Sequence, residues 1–447
     1  PAARSVRSPP SLPSVPVPRT MPPPPAEARD QNGNPRGDGN ELGAILQAAR
    51  PFLRGELESV DPRLPSLAAL LRSTGAGECF HKHGSFLHHL LDVYRILKLW
   101  KAPDAVCLCG LFHSAYSNSY VNLAIFDPST GRDTVRRHVG PAAERLIHLF
   151  CVVPRQSLIH DDLLFRYTDP ELAEHLRASE ASLRGRGACD GEEGWRRKLR
   201  EVVPAEGVVV RHIRTGEEVR VSRRVVGIFL LLTMADFSDQ LFGFQDALFE
   251  NEDGRMDFSG ADGGALWPGD GRPGLWMNLV SRMGALYQLI AREEEIWRTR
   301  EGGGGDAAEE IELVIPPVFE GCTRVLDARE QIEARDLYWE AAMGGGRRKE
   351  GGGLEVVGKL RRCVEKNPYV GEAEVVLAQA WLGAGNYEAA EAAAGRGLRL
   401  LLEWGSPWDK RVGWEGWVAW ARVLLQSARE RSWPTAPFAI LNLGLVR

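Results

Sequence analysis

The chain has 447 residues, of which 44% are hydrophobic and 26% are charged, and its formal net charge is −5. This composition is typical of a globular protein, and the length predicts roughly two or three domains. The negative charge argues against a dedicated DNA-binding or membrane-surface protein, because either needs a basic face, and no apolar run reaches the roughly 18 residues that cross a membrane.

The first segment, 1–40, is rich in proline, serine and arginine and has no apolar period, so we expect it to be disordered. Its residues 1–20 contain arginine and serine but no acidic residue, which is also typical of a plastid or mitochondrial transit peptide. The chain's 7 cysteines show no CxxC spacing, which indicates a reducing compartment and no structural zinc of that type. We therefore expect a cytoplasmic protein, with a plastid or mitochondrial one as the alternative.

The stretch from 84 to 101 predicts an amphipathic helix inside a histidine-rich region. Its apolar face recurs every three or four residues and comprises Phe86, His89, Val93, Ile96 and Trp100. His89 should therefore point inward, whereas the adjacent His88 should point to solvent. His81 and His83 precede the helix in a polar loop, where we expect solvated surface residues.

The next predicted helix, AVCLCGLF, is apolar all round and should be buried. It ends at His113 and Ser114, and the polar segment SAYSNSY follows. A further amphipathic helix is predicted from 139 to 151. His160 and Asp161 form a literal His-Asp pair, but they follow a Pro-Arg-Gln loop and do not close a buried helix, so we interpret them as unrelated to a site.

The region from 207 to 244 combines the main strand signal with a second buried helix. The segments VVVRHI and VRVS flank a turn at Thr215 and Gly216, which predicts one β-hairpin. In the following apolar helix, Asp236 lies on the same face as Thr233, and Asp239 lies close to one turn further on.

The C-terminal part divides into a linker with a connecting helix, 301–353, and a helical module, 354–447. From Gly371, residues recur at the small and large positions of a unit of about 34 residues, with its turn at Asn386. This pattern resembles a tetratricopeptide repeat. One repeat cannot stand alone, so the module should pack on the preceding domain. Trp408, Trp414, Trp417 and Trp420 are interpreted as core, with partner binding as the alternative.

The order of the polar residues on buried helices resembles the HD-domain superfamily. The segment LCGLFHSAYS resembles the one that carries the His-Asp pair of (p)ppGpp hydrolases of the RelA/SpoT type, and HVGPAAERLIHLF resembles the helix that follows it there. The resemblance implies a divalent metal, such as Mn, Fe or Zn, held by His89, His113 and Asp236. Ser114 replaces the aspartate of the pair, and serine is a poor ligand for a catalytic divalent ion.

At closer range the chain resembles an uncharacterised plant and bacterial family named for a domain of unknown function, DUF6817. An HxxxxxHL helix and a GLFHS segment carry this resemblance, at 83–90 and 110–114. It extends over roughly 75–245, within a helical domain predicted at 41–300. The expected fold is mainly α, with an HD-like domain, one small β-hairpin insertion and a tetratricopeptide-like C-terminal module.

Two functions remain open on the sequence. The first is a binding or regulatory protein with a degenerate pocket, which recruits a protein partner through 354–447; the loss of the paired aspartate at Ser114 favours it. The second is a metal-dependent phosphohydrolase acting on a nucleotide-like ligand or another phosphoester, with Asp239 or Glu144 as base. A histidine in an apolar helix is also, more often than not, a hydrogen-bonded core residue, and this interpretation stays open for His89 and His113 taken singly.

Overall fold

The computed structural model describes residues 38–81, 84–120, 124–183, 193–249, 251, 271–300, 311–320, 325–344 and 352–434. The chain divides into two compact units, Pro1–Ala44 and Ile45–Arg447, and the first is described only from residue 38, where a helix begins. The predicted disordered segment 1–40 therefore lies outside the described residues except for its last three. Much of the predicted linker 301–353 also lies outside them.

The described residues are mainly helical, which confirms the predicted fold class. The first helices are α1 Asp38–Leu53, α2 Leu57–Val60, α3 Leu64–Ser73, α4 Phe86–Leu99, α5 Asp104–Leu111, α6 Arg132–Val139, α7 Pro141–Val152, α8 Asp169–Leu183 and α9 Gly194–Val202. They are followed by α10 Arg223–Gln240, α11 Phe244–Leu248, α12 Met277–Arg300, α13 Pro317–Glu320, α14 Ala328–Met343, α15 Gly352–Lys366, α16 Gly371–Gly383, α17 Tyr387–Trp404 and α18 Trp414–Arg429. A π-helical segment, Gln156–Leu163, lies between α7 and α8.

Two antiparallel strand pairs interrupt the helices, where the sequence predicts one. The predicted hairpin is present as β3 Val208–Arg211 and β4 Glu218–Val221, with Val208 opposite Val221. The additional pair, β1 Phe80–His81 and β2 Gly84–Ser85, lies directly before α4. Its strands have two residues each, too few for an alternating pattern to be recognised in the sequence.

Helix α10 is the centre of the core. Its residues from Val226 to Gln240 are all buried, and it packs against α4, α5 and α12. Hydroxyl caps begin two of these helices, because Ser222 accepts from the backbone N–H of Val225 and Ser85 from that of His88. Helices α4, α5 and α12, which come from different regions of the sequence, are therefore all neighbours of α10.

Close packing of α4 against α5 depends on a glycine. A Cβ atom at Gly110 would lie 2.3 Å from Leu97 Cδ1 and 3.2 Å from Val93 Cγ1, well inside van der Waals contact. A larger residue would force the buried side chain of Leu97 out of its place or α5 away from α4. Since α5 ends at Leu111, this contact sets the position of the residues that follow it.

The C-terminal helices pack against the helices that precede them in the chain. From α14 to α18 each helix packs on the next, and α17 also contacts α4. Arg95 Nε donates to the carbonyl of Gly405 at 3.0 Å, and Trp100 Nε1 donates to that of Glu403 at 2.9 Å. Ser406 Oγ donates to the carbonyl of Ser238 at 2.8 Å, which ties the loop after α17 to α10.

The tryptophans near the C-terminus belong mainly to this core. Trp408, Trp414 and Trp417 are buried, and Trp420 is half-buried. Each buried indole N–H finds a backbone carbonyl, including that of Gly274 for Trp408. Among the helices that the structure describes, none combines the length and the apolar character that crossing a membrane requires.

Candidate metal centre

The three residues singled out as metal ligands converge although they come from three helical regions. His89 lies on α4, His113 lies two residues after α5 and Asp236 lies on α10. His89 Nε2 lies 3.2 Å from Asp236 Oδ1 and 3.4 Å from His113 Nε2, and His113 Nε2 lies 3.9 Å from Asp236 Oδ1. Ligands about 2.0–2.1 Å from a tetrahedral ion lie about 3.3–3.5 Å apart. The three atoms therefore fit one small divalent cation.

Both histidines have their other ring nitrogen occupied by an acceptor. His89 Nδ1 donates to Asp239 Oδ2 at 2.7 Å, and His113 Nδ1 donates to the carbonyl of Gly110 at 2.7 Å. A hydrogen bond at Nδ1 fixes the tautomer whose Nε2 lone pair can bind a metal. The carboxylate–histidine arrangement at His89 and the carbonyl–histidine arrangement at His113 are those that usually support metal-binding histidines.

The protonation of the two imidazoles differs because their surroundings differ. Burial disfavours the charged form of His89, but hydrogen bonds and charges of Asp236 and Asp239 outweigh this and raise its pKa to about 9. Burial lowers the pKa of His113 to about 4, so this ring is neutral at neutral pH. The proton on His89 Nε2 faces Asp236, where a cation would take its place.

The carboxylate of Asp236 is oriented by Gln240, one turn further along α10, which in turn contacts His81 on β1. Gln240 Nε2 donates to Asp236 Oδ1 at 2.5 Å, and Gln240 Oε1 lies 3.0 Å from His81 Nε2. The expectation that His81 is a solvated surface residue is therefore wrong: it is half-buried, and its ring centroid lies 4.8 Å from that of His89. His83 lies outside the described residues.

Ser114 brings no carboxylate to the centre. Its side chain is buried and accepts a hydrogen bond from Asn118 Nδ2 at 2.8 Å. The turn that follows is held from outside, because Arg214 at the tip of the β3–β4 hairpin donates to the carbonyl of Tyr116. The centre thus offers three candidate ligands, and the turn beside His113 is held by Arg214 and Asn118 without a carboxylate.

The two residues proposed as bases occupy different places. Asp239 lies behind His89 as its hydrogen-bond acceptor. Glu144 accepts from Tyr116 Oη and forms ion pairs with Arg132 and Arg136. Burial alone would raise the pKa of Glu144, but the hydrogen bond and charge of Arg132 and the hydrogen bonds from Arg136 and Tyr116 lower it. A carboxylate stabilised in this way is a weak base, which argues against the role predicted for Glu144.

The other histidines in the described part of the chain do not join these three residues. His88 is exposed, as predicted. His160 is buried in the π-helical segment and stacks on Phe237, with ring centroids 5.4 Å apart. His148 is half-buried on α7. Among the described residues, His89, His113 and Asp236 are the group whose ligand atoms converge.

Sequence reasoning missed one charged residue beside the centre. Arg155 is fully buried, donates from Nε to the carbonyl of Phe150 at 3.1 Å, and approaches Thr233 Oγ1 with Nη1 at 3.5 Å. Its guanidinium carbon lies 3.5 Å from the ring centroid of Phe150 and 4.8 Å from that of Tyr120. Its place in a Pro-Arg-Gln segment is typical of a surface loop, and only the packing of α7 against α5 and of α5 against α10 reveals its burial.

Comparison with known proteins adds one finding. Searches of curated proteins and of solved structures gave no match. The likeness to HD-domain and tetratricopeptide proteins therefore stays a prediction. Residues 70–155, which carry His89, His113 and Arg155, match the family model described as "Domain of unknown function (DUF6817)", whereas Asp236 lies beyond the matched residues.

Proposed function

We propose that this protein binds one divalent metal ion through His89, His113 and Asp236 and uses it to hydrolyse a phosphoester. The observation that supports the proposal best is the pairing of each histidine Nδ1 with an acceptor, while the two Nε2 atoms lie 3.2 Å and 3.9 Å from one carboxylate oxygen of Asp236. A histidine that only fills the core does not need its Nε2 atom to lie near a second histidine and a carboxylate. Two histidines and one carboxylate with open positions are typical of catalytic, not structural, metal sites.

The bound ion would lower the pKa of a water molecule and polarise a phosphoryl oxygen. The chain's own residues would position the reactants. Asp239 keeps His89 in the ligand tautomer, Gln240 orients the Asp236 carboxylate, and the buried surroundings exclude bulk water. Exclusion of water strengthens every electrostatic interaction within the centre.

A binding or regulatory protein is the second candidate, and Ser114 favours it. No carboxylate stands beside His113 at the position where the HD pattern has one, and Asn118 occupies the serine oxygen. In this account the metal or its ligand is sensed without being turned over. The supporting residues of the centre are the same in both accounts, so metal binding is tested first and turnover second.

Metal content tests the shared part of the proposal. Purified full-length protein should contain Mn, Fe or Zn at one ion per chain by elemental analysis, and His113→Ala should lose it. His148→Ala, which changes a half-buried histidine outside the three ligands, should keep it. Metal-free wild-type protein whose melting temperature is unchanged by a chelator would contradict the proposal.

Turnover separates the two candidates. Metal-loaded protein should release nitrophenol from a nitrophenyl phosphate monoester or diester, and the rate should fall to background in His113→Ala. Protein that holds the ion but hydrolyses neither ester would support the binding account over the hydrolase.

A further inference from the structure

Arg155 differs from the other buried arginines of the described chain. Five arginines are buried there, and four of them, Arg95, Arg223, Arg282 and Arg292, form ion pairs with carboxylates. Arg155 is 0% exposed, and no described carboxylate lies within ion-pair distance of it. Its Nη2 has no hydrogen-bond partner in the described structure. Guanidinium nitrogens of Arg223 and Arg282 also lack a partner there, but these two side chains are balanced by Glu294 and Asp169, so the missing counter-ion is what distinguishes Arg155.

The fold gains a hydrogen bond to the carbonyl of Phe150 and a long one to Thr233 from this side chain, but no ion pair. Burying a charge without a counter-ion costs free energy, and leaving a buried donor unsatisfied adds to the cost. The faces of Phe150 and Tyr120 recover part of it through cation–π contacts. A residue that costs stability and keeps a free donor is typical of a functional site.

The guanidinium lies directly beside the candidate metal centre. Thr233, which it approaches with Nη1, precedes Asp236 by three residues on α10, so the two lie on one face of the helix, one turn apart. On the other side, the guanidinium lies over the ring of Phe150. This ring packs edge-on against the ring of His113, with the ring centroids 6.2 Å apart. Arg155 is therefore flanked by neighbours of two of the three ligands.

Charge indicates what the free donor would bind. A divalent cation would be balanced by the carboxylates of Asp236 and Asp239, since both histidines are neutral as ligands or supports. The charge of Arg155 then remains unbalanced, which favours an anion that contacts both the cation and the guanidinium. The fork of an arginine suits oxygen atoms of phosphoryl and carboxylate groups.

We infer that Arg155 is the anion-binding residue of this centre and that its free Nη2 donates to a phosphoryl oxygen of the ligand. The inference rests on the proposed function for the choice of a phosphoryl group. It assigns the residue that recognises the ligand, beside the neighbours of His113 and Asp236.

Inorganic phosphate is the probe, titrated calorimetrically into full-length protein whose metal content has been measured. Wild-type protein should bind phosphate, Arg155→Met should lose binding, and Arg155→Lys, which keeps the charge but not the fork, should bind at least about tenfold more weakly. Arg292→Lys, at a buried arginine paired with Glu180, is the matched control and should bind like wild type. If Arg155→Met fails to fold, because the buried carbonyl of Phe150 loses its donor, Arg155→Lys carries the test.

Each outcome is decisive. Absence of phosphate binding in metal-loaded wild-type protein, or equal affinity in the wild type and the Arg155 variants, would overturn the inference while leaving the metal centre in place. Phosphate binding that depends on Arg155, in wild-type protein that takes up no added Mn, Fe or Zn, would preserve the inference and overturn the proposed function. Acetate bound with the same dependence on Arg155 would overturn the assignment to a phosphoryl group.

Discussion

His89 can serve as a metal ligand only while its Nδ1 carries the proton, and Asp239 is the residue that keeps it there. The carboxylate accepts from Nδ1 at 2.7 Å and is itself almost fully buried. Substitution by asparagine preserves the shape but allows the amide N–H to face Nδ1, which favours the opposite tautomer. Asp239→Asn should therefore weaken metal affinity about 10- to 100-fold, measured by competition with a chelator. The exposed Asp162→Asn is the control; equal affinity in both variants would refute the supporting role.

The three candidate ligands could be singled out from the sequence, but the residues that support them could not. His89, His113 and Asp236 are visible because a polar group on an apolar helix face is unusual. Gln240 and His81 cannot be recognised in this way. Their contact joins residues 159 apart in the sequence, and His81 lies on β1, one of two paired strands of two residues each. The Pro-Arg-Gln segment around Arg155 is typical of a surface loop, and the burial of this side chain depends on packing between segments that are distant in the sequence.

At the scale of helices, Gly110 controls the distance between α4 and α5. Gly110→Ala should lower the free energy of unfolding by about 1–2 kcal/mol, because overpacking against Leu97 and Val93 exceeds the gain in helix propensity. Metal affinity should fall as well, since the Gly110 carbonyl holds His113. Gly358→Ala, on an exposed and open position of α15, should instead be neutral or stabilising. Thermal melting with metal titration measures both effects, and equal behaviour of the two variants would contradict this account of the packing.

Helix α16 contributes a pH-dependent contact to the same fold. Burial raises the pKa of Glu372 to about 7, from the ordinary value of 4.5, while its carboxylate accepts from the backbone N–H of Trp408 at 2.6 Å. The folded state thus holds this proton more tightly than the unfolded chain. Its contribution to stability is complete below pH 4.5 and is lost as the pH rises through about 7.

Glu372→Gln keeps an acceptor for Trp408 and cannot ionise. The stability of the variant relative to wild type should therefore increase by about 1–3 kcal/mol between about pH 5 and pH 8. Denaturant unfolding at both values measures the difference, with the exposed Glu58→Gln as control. A difference that does not change with pH would show that Glu372 is ionised throughout.

Helix positions were the most predictable part of the fold, because α4 and α10 combine long apolar patterns with hydroxyl caps. Their mutual arrangement was not predictable. That His113 would meet His89 depends on Gly110 allowing α5 to approach α4, and Asp236 arrives from a segment more than a hundred residues away.

For the whole molecule, the C-terminal helices are part of one compact unit with the candidate centre. Trp100 is fully buried, and its ring centroid lies 6.0 Å from that of Trp404. Arg95 donates a hydrogen bond to the carbonyl of Gly405. We therefore expect calorimetry to show Ile45–Arg447 unfolding in one transition. Deletion of 354–447 should abolish that transition by exposing this core, so protein partners of the module are better sought with surface substitutions. A deletion variant that melts cooperatively at the wild-type temperature would contradict this coupling.

The central claim is that one cation binds where His89, His113 and Asp236 meet, and anomalous X-ray scattering tests it most directly. Crystals of the full-length protein grown with Mn²⁺ or Zn²⁺ should show one strong anomalous peak about 2.0–2.2 Å from His89 Nε2, His113 Nε2 and Asp236 Oδ1. The peak should be absent in crystals of His113→Ala. Wild-type crystals with no peak at this point, or with the ion bound only elsewhere, would contradict the claim.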